Sequence, residues 1–175
     1  MRSRASASAL QQLRFADSRS RMGALLVLQR HVASTIFWRL LGAEWARCDS
    51  ITKHRSALRK LFAQRLEAGG FPIFEAMSAS DRRVYDALPD RVVLYRGCHR
   101  SNRMGFSWTT ARDVAASVPF LRRYRGGGEP MLLSAVAHKS NIAFVSTARW
   151  KPEIVVLPCH RRIMGCEMLT QAVAA

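Results

Sequence analysis

The amino-acid sequence predicts an α+β protein, with helices in its first half and strands in its second. Apolar residues recur at helical spacing between about residues 22 and 68, and β-branched and aromatic runs follow Pro89. With 175 residues, of which 49% are hydrophobic, the chain is long enough to build a real core. We therefore divide it into a basic helical N-terminal extension over 1–88 and an α+β core over 89–175.

The N-terminal half predicts an arm followed by helices. Residues 1–20 are rich in Arg and Ser and nearly free of acids, which predicts a flexible arm, although a transit peptide has a similar composition. One helix is predicted from about Met22 to Arg47 and a second from about Thr52 to Ala68. A third spans Ser80 to Leu88, capped by its own first residue or by Ser78.

The C-terminal half alternates short apolar runs with turn residues. We predict strands at RVVLYRG, GFSWTT, MLLSAVAH, NIAFVST and EIVVLP. Between the second and third of these, TTARDVAASVPFLRRY predicts a helix capped by Thr109 or Thr110. The final segment RRIMGCEMLTQAV is compatible with either a strand pair or a terminal helix.

Charge is the strongest compositional signal. The chain carries 28 Lys and Arg against 12 Asp and Glu, a net charge of +16. Such an excess favours an acidic protein surface or a nucleic acid as partner, while a solvated basic surface with no such partner is the plainer alternative. Candidate target-binding residues are Arg55, Arg59 and Lys60 on the second helix, together with Lys151.

Other classes are disfavoured. No stretch of 18 uncharged apolar residues occurs, so we expect no stable membrane insertion and a cytoplasmic location. The four cysteines form no C-x-x-C pair, and no metal site or disulfide framework is predicted. The sequence leaves the oligomeric state open.

Polar residues that could bind a ligand occur in order along three of the predicted strands. Arg96 ends the first strand, and Ser107 and Thr109 lie two apart on the second, so both hydroxyls point to one face. Glu153 opens the last strand, before the apolar run Ile154–Leu157. Each motif alone is weak, but the ordered set is more specific.

This ordered set, read as LYRG…SWTT…DVA…EIVV, resembles the ADP-ribosyltransferase superfamily, in the branch with an Arg, then Ser-x-Thr/Ser, then Glu. It is most similar to small members encoded by phages and bacteria. The resemblance covers about residues 91–158 and implies a split β-sheet core, NAD as cofactor, and transfer of ADP-ribose to a protein or nucleic acid. For a phage-encoded member, it implies that this target belongs to the host machinery. It implies that Glu153 is catalytic and that the following residues bind the cofactor: Tyr95, Arg96, Gly97, Phe106, Ser107 and Thr109.

The chemistry of the reaction favours the same roles. Cleaving the nicotinamide–ribose bond releases a neutral pyridine, so the enzyme must stabilise an oxocarbenium-like ribose, which a carboxylate such as Glu153 does. A pyrophosphate suits the planar, permanently charged fork of Arg96. Tyr95 or Phe106 would stack on nicotinamide, with core packing as the alternative for each. Ser107 and Thr109 would shape the nicotinamide pocket.

One departure bears on the acceptor. Members that modify arginine carry a second Glu two residues before the catalytic one, and Lys151 stands there instead. A lysine is a poor base for a guanidinium at neutral pH, so arginine is a doubtful acceptor. A rival hypothesis keeps the basic surface but not the chemistry: a non-enzymatic protein that binds nucleic acid or an acidic protein.

Overall fold

Helices occupy the first half of the chain, and two small antiparallel sheets form most of the second. The computed structural model describes residues 2–49, 51–124, 128–148 and 152–170. The helices are α1 (Arg2–Phe15), α2 (Arg21–Leu28), α3 (Ser34–Trp45), α4 (Arg55–Gly69), α5 (Ala79–Asp86) and α6 (Arg112–Ser117). The strands are β1 (Arg91–His99), β2 (Ser107–Trp108), β3 (Pro130–His138), β4 (Ile142–Ser146), β5 (Glu153–Val156) and β6 (Arg161–Met168). The α+β class is confirmed.

The predicted flexible arm is instead a helix. In α1, Ala9 and Leu13 are one helical turn apart and both are buried, at 3% and 6% exposure. α1 packs against α2, so these two small contacts on an otherwise polar helix are enough to dock it. The prediction failed because the apolar stripe of α1 is too narrow to stand out among Arg and Ser.

The single helix predicted over residues 22–47 is two helices, α2 and α3, separated by a turn at 29–33. Buried side chains lie on both sides of the turn, Leu25 and Leu28 on α2 and Phe37 and Leu41 on α3. A continuous helix of 26 residues would extend about 39 Å in one direction. The turn lets both apolar faces meet the same core.

The N-cap of α5 is one of the two serines that the sequence predicted. Ser78, not Ser80, is the N-cap, and its side chain accepts from the backbone N–H of Asp81. The Asp81 carboxylate accepts in return from Ser78 and, at 2.6 Å each, from the backbone N–H and hydroxyl of Thr147. This buried acid therefore joins α5 to the chain just after β4.

The strands form two three-stranded sheets, with order β1-β3-β6 and order β2-β5-β4. An isolated antiparallel bridge between Tyr95 and Thr109 links them. The final segment, left open between a strand pair and a helix, forms one edge strand, β6. The helix predicted over residues 109–124 is shorter: α6 ends at Ser117, and short 3-10 turns follow because Pro119 cannot continue the backbone ladder. Neither Thr109 nor Thr110 is its N-cap, which is Ala111, although the Thr109 hydroxyl accepts from the Ala111 N–H.

The hydrophobic core is shared by the two halves of the chain. Trp45, at the end of α3, is fully buried and meets Phe144 of β4 and Phe106 edge-on, with ring centroids 5.3 and 6.4 Å apart. Phe62 of α4 contacts the same two rings. Helices α3 and α4 of the N-terminal half therefore share a core with the strands.

Candidate active site

A cleft of about 760 Å³ lies where the helices and both sheets meet. Its volume is within the range of about 300–1,000 Å³ typical of small-molecule and cofactor sites. Every residue predicted to bind or cleave a dinucleotide lines it: Tyr95, Arg96, Gly97, Phe106, Ser107, Thr109 and Glu153. As many as 58 positions separate these residues in the sequence, and the fold brings them together.

Sheet register explains why the polar residues face one way. Ser107 pairs with Val155 across β2 and β5, and directly paired residues of antiparallel strands share a face. Glu153 lies two residues before Val155, so it projects to the same face as Ser107. Thr109, two residues after Ser107, is held by paired backbone hydrogen bonds of 2.7 and 3.0 Å with Tyr95. The side chain of the half-buried Glu153 forms no hydrogen bond or ion pair with the residues that the structure describes.

Arg96 occupies the cleft wall differently from the prediction. Its Nη1 donates to the Ser107 carbonyl oxygen at 2.7 Å and its Nη2 to the Asn102 carbonyl oxygen at 3.0 Å. The guanidinium lies against Gly105, where any side chain would overlap it. Burial lowers the Arg96 pKa, partly offset by nearby groups including Glu153. Arg96 thus holds β2 and the turn before it through one N–H of each terminal nitrogen.

Three other residues predicted to bind the ligand differ in how they are placed in the cleft lining. Phe106 is 1% exposed and packed among core aromatic rings, so the packing alternative holds for it and not the stacking one. Gly97 is a glycine because α6 crosses it: an added methyl would overlap the Ala115 carbonyl oxygen and reach within 2.7 Å of Pro119 Cδ. Tyr95 is half-buried on the cleft wall, where its ring is accessible.

Trp45 is a site residue that sequence reasoning missed. Its indole N–H donates to the Ser107 hydroxyl at 3.0 Å, across 62 positions of sequence. Because Trp45 supplies the donor, Ser107 keeps its own proton free to donate into the cleft. No local signal marks Trp45, which reads as an ordinary core aromatic at helical spacing.

The helical half also supplies charged and thiol groups to the cleft. Arg19 and Lys53, both exposed, line it, as do Cys48 and Asp49. Burial raises the pKa of the Cys48 thiol to about 12, with a smaller contribution in the same direction from Glu153, so the thiol is a neutral part of the wall. Composition pointed to the positive charge of this half but not to its place beside Glu153.

His99, at the end of β1, is a second missed residue of the cleft lining. It is 4% exposed, and its Nδ1 lies 2.8 Å from the Gly128 carbonyl oxygen. A carbonyl only accepts, so Nδ1 carries the proton, and the buried Nε2 has no partner among the described residues. The ring ties the end of β1 to the chain entering β3.

The predicted target-binding residues lie apart from the cleft lining. Arg55, Arg59 and Lys60 are exposed on α4, where they form a basic surface. Lys151 lies outside the described residues. No helix among the described residues has the length and apolarity needed to cross a membrane.

Comparisons with known proteins add no relative: no protein-family model, curated protein or solved structure matches the chain.

Proposed function

We propose that this protein is an NAD-dependent ADP-ribosyltransferase, which cleaves the nicotinamide–ribose bond and transfers ADP-ribose to a macromolecular target. The observation that supports it most is that Glu153, Ser107 and Thr109 line one cleft of dinucleotide size, with Glu153 and Ser107 on the same face of their sheet. A half-buried carboxylate without a partner among the described residues is available to a substrate hydroxyl.

Glu153 accepts a hydrogen bond from a ribose hydroxyl and stabilises positive charge as it develops on the ribose. The carbon–nitrogen bond breaks with its electron pair going to the nicotinamide nitrogen, which leaves neutral. An acceptor nucleophile forms the new bond to the same carbon and releases its proton to solvent. Ser107, held by Trp45, and Thr109 orient the carboxylate and the nicotinamide end.

The acceptor in this proposal is not arginine, since Lys151 stands where arginine-modifying members carry a second Glu. The exposed cations of α4, Arg55, Arg59 and Lys60, favour a polyanionic target, either a nucleic acid or an acidic protein. If the gene is carried by a phage, as the resemblance implies, that target belongs to the host.

The test is nicotinamide release from NAD, followed by chromatography, for the wild type and Glu153→Gln. We expect the variant to be at least about 100-fold slower, since it loses a charge that stabilises the transition state. Glu67→Gln, an exposed acid on α4, is the matched control and should retain wild-type activity. Equal rates for Glu153→Gln and the wild type would contradict the proposal.

The rival function, a non-enzymatic binding protein, is favoured by the same exposed surface on α4. A binder keeps its potency in Glu153→Gln and loses it when Arg55, Arg59 and Lys60 are changed to Gln. Phosphate contacts would make its affinity fall steeply with salt. Transfer of one ADP-ribose mass to a target decides for the enzyme.

A further inference from the structure

The cleft is lined by positively charged side chains in addition to Arg96. Within the described residues, the arginines and lysines that line it are Arg19, Lys53 and Arg96. Each terminal nitrogen of Arg96 donates one hydrogen bond to a backbone carbonyl oxygen. The side chains of Arg19 and Lys53 form no hydrogen bond or ion pair in the part of the chain that the structure describes, and both are exposed.

Arg19 and Lys53 lie on two chain segments that a backbone hydrogen bond joins. Arg19 lies in the turn between α1 and α2, and Lys53 in the 3-10 turn Ile51–His54 before α4. The backbone N–H of Asp49 donates to the Ser18 carbonyl oxygen at 2.7 Å, which joins the two segments. Cys48, on the same stretch, lines the same cleft as Glu153.

Among the described residues, no acidic side chain forms an ion pair with Arg19 or Lys53. Hydrogen bonds from Ser20 are the main reason that the pKa of Asp17 is lowered. The positive charge of Arg19 lowers it too, but is the smallest of the causes. Asp49 and Glu153 are the acids that line the cleft among the described residues, and Glu153 is committed to the ribose in the proposed function. Two cations without an ion pair beside a cleft that takes a dinucleotide call for an anionic group on the ligand.

We propose that Arg19 and Lys53 bind the diphosphate of the dinucleotide, in the role that the sequence assigned to Arg96. A diphosphate carries two negative charges, and an arginine fork with a lysine point charge suits its oxygens. This inference rests on the proposed function and deepens it: the helical half then binds the phosphates while the sheets bind the reactive riboside.

The test uses substrates that differ in phosphate content. NAD carries the diphosphate, nicotinamide mononucleotide one phosphate, and nicotinamide riboside none, yet all share the bond that is cleaved. The double variant Arg19→Gln/Lys53→Gln is compared with Arg39→Gln/Arg162→Gln, which removes the same charge at exposed positions outside the cleft lining. Thermal unfolding checks that both are folded.

For the cleft variant we expect the KM for NAD to rise about 100-fold, about tenfold for each charge-assisted hydrogen bond lost. Cleavage of nicotinamide riboside should stay within twofold of wild type, and the control should match wild type on all three substrates. Equal losses on NAD and on the riboside, or cleft and control variants that behave alike, overturn the inference.

Binding of ADP and of adenosine, measured by calorimetry, separates this inference from the proposed function. If the wild type cleaves no NAD but binds ADP more tightly than adenosine, and only the cleft variant loses that preference, the phosphate site stands and the enzyme proposal fails. If the wild type binds neither NAD nor ADP, both fail. If NAD is cleaved at a KM that the cleft variant leaves unchanged, only the phosphate site fails.

Discussion

The hydrogen bond from Trp45 to Ser107 gives the most direct test that the helical half helps to build the cleft. We consider Trp45→Phe, Ser107→Ala and the double variant. Trp45→Phe keeps an aromatic ring among Phe106 and Phe144 but removes the indole N–H. Ser107→Ala removes the acceptor and leaves that N–H facing a methyl group.

The magnitudes follow from burial. Trp45 is fully buried, so the few tens of Å³ vacated cost about 1 kcal/mol at about 24 cal/mol per Å³ of cavity. The lost hydrogen bond adds about 1 kcal/mol, so we expect Trp45→Phe to lower the free energy of unfolding by about 2 kcal/mol. Ser107→Ala should cost about 1–3 kcal/mol because it strands a buried donor.

The decisive quantity is the coupling energy between the two substitutions. The double variant should be more stable than the sum of the single effects predicts, by about 1 kcal/mol, because the hydrogen bond is lost only once. Urea unfolding at equilibrium measures it, provided that the slope of the transition is unchanged. Trp38→Phe, a buried tryptophan of the same aromatic cluster without a bond to Ser107, should be additive with Ser107→Ala. Additivity within about 0.3 kcal/mol for Trp45 as well would refute the coupling.

Further predictions concern stability and thiol chemistry. Burial raises the pKa of Asp81, but its hydrogen bonds outweigh this and hold the pKa below its usual value. Asp81→Asn should therefore cost about 2–3 kcal/mol at pH 7, and the difference from wild type should shrink as the pH falls below about 4, through the folded pKa, in urea titrations. Gly97→Ala should lower stability by at least about 3 kcal/mol or abolish folding, as judged by circular dichroism, because its methyl overlaps the Ala115 carbonyl oxygen. Buried Cys48, with its raised pKa, should react with iodoacetamide far more slowly at pH 8 than the exposed thiols, as peptide mass spectrometry would show. Those exposed thiols are Cys159 and Cys166.

Local pattern was enough to predict most strands of this fold. β1, β3, β4 and β5 coincide with the predicted runs to within a few residues, because each is a short, mostly apolar stretch bounded by turn residues. Period-2 spacing also predicted that Ser107 and Thr109 would share a face, and both residues line the cleft. The alternation of residues along each strand does not predict that the strands form two sheets. Only the resemblance to a family suggested a split sheet.

Long-range packing decided what the sequence left out. α1 docks through Ala9 and Leu13, a contact whose value depends on α2 being there to receive it. From the sequence, Phe106 was suited to stacking on a ligand and, as the commoner role of such a residue, to core packing; Trp45 and Phe62 pack around its ring. Nothing near residue 96 in the sequence indicates that carbonyl oxygens of Asn102 and Ser107 would occupy its guanidinium.

The shared core changes how enzyme and binder must be told apart. A division into a docking extension and a catalytic core would allow any helical cation to be neutralised as a test of target binding. In this fold Arg19 and Lys53 line the cleft and Trp45 holds Ser107, so changes there disturb the cleft as well as the surface. The outward cations of α4 avoid this confusion, since Arg55, Arg59 and Lys60 are exposed and are not part of the cleft lining. A loss of target binding on their substitution, with nicotinamide release intact, therefore reports on docking alone.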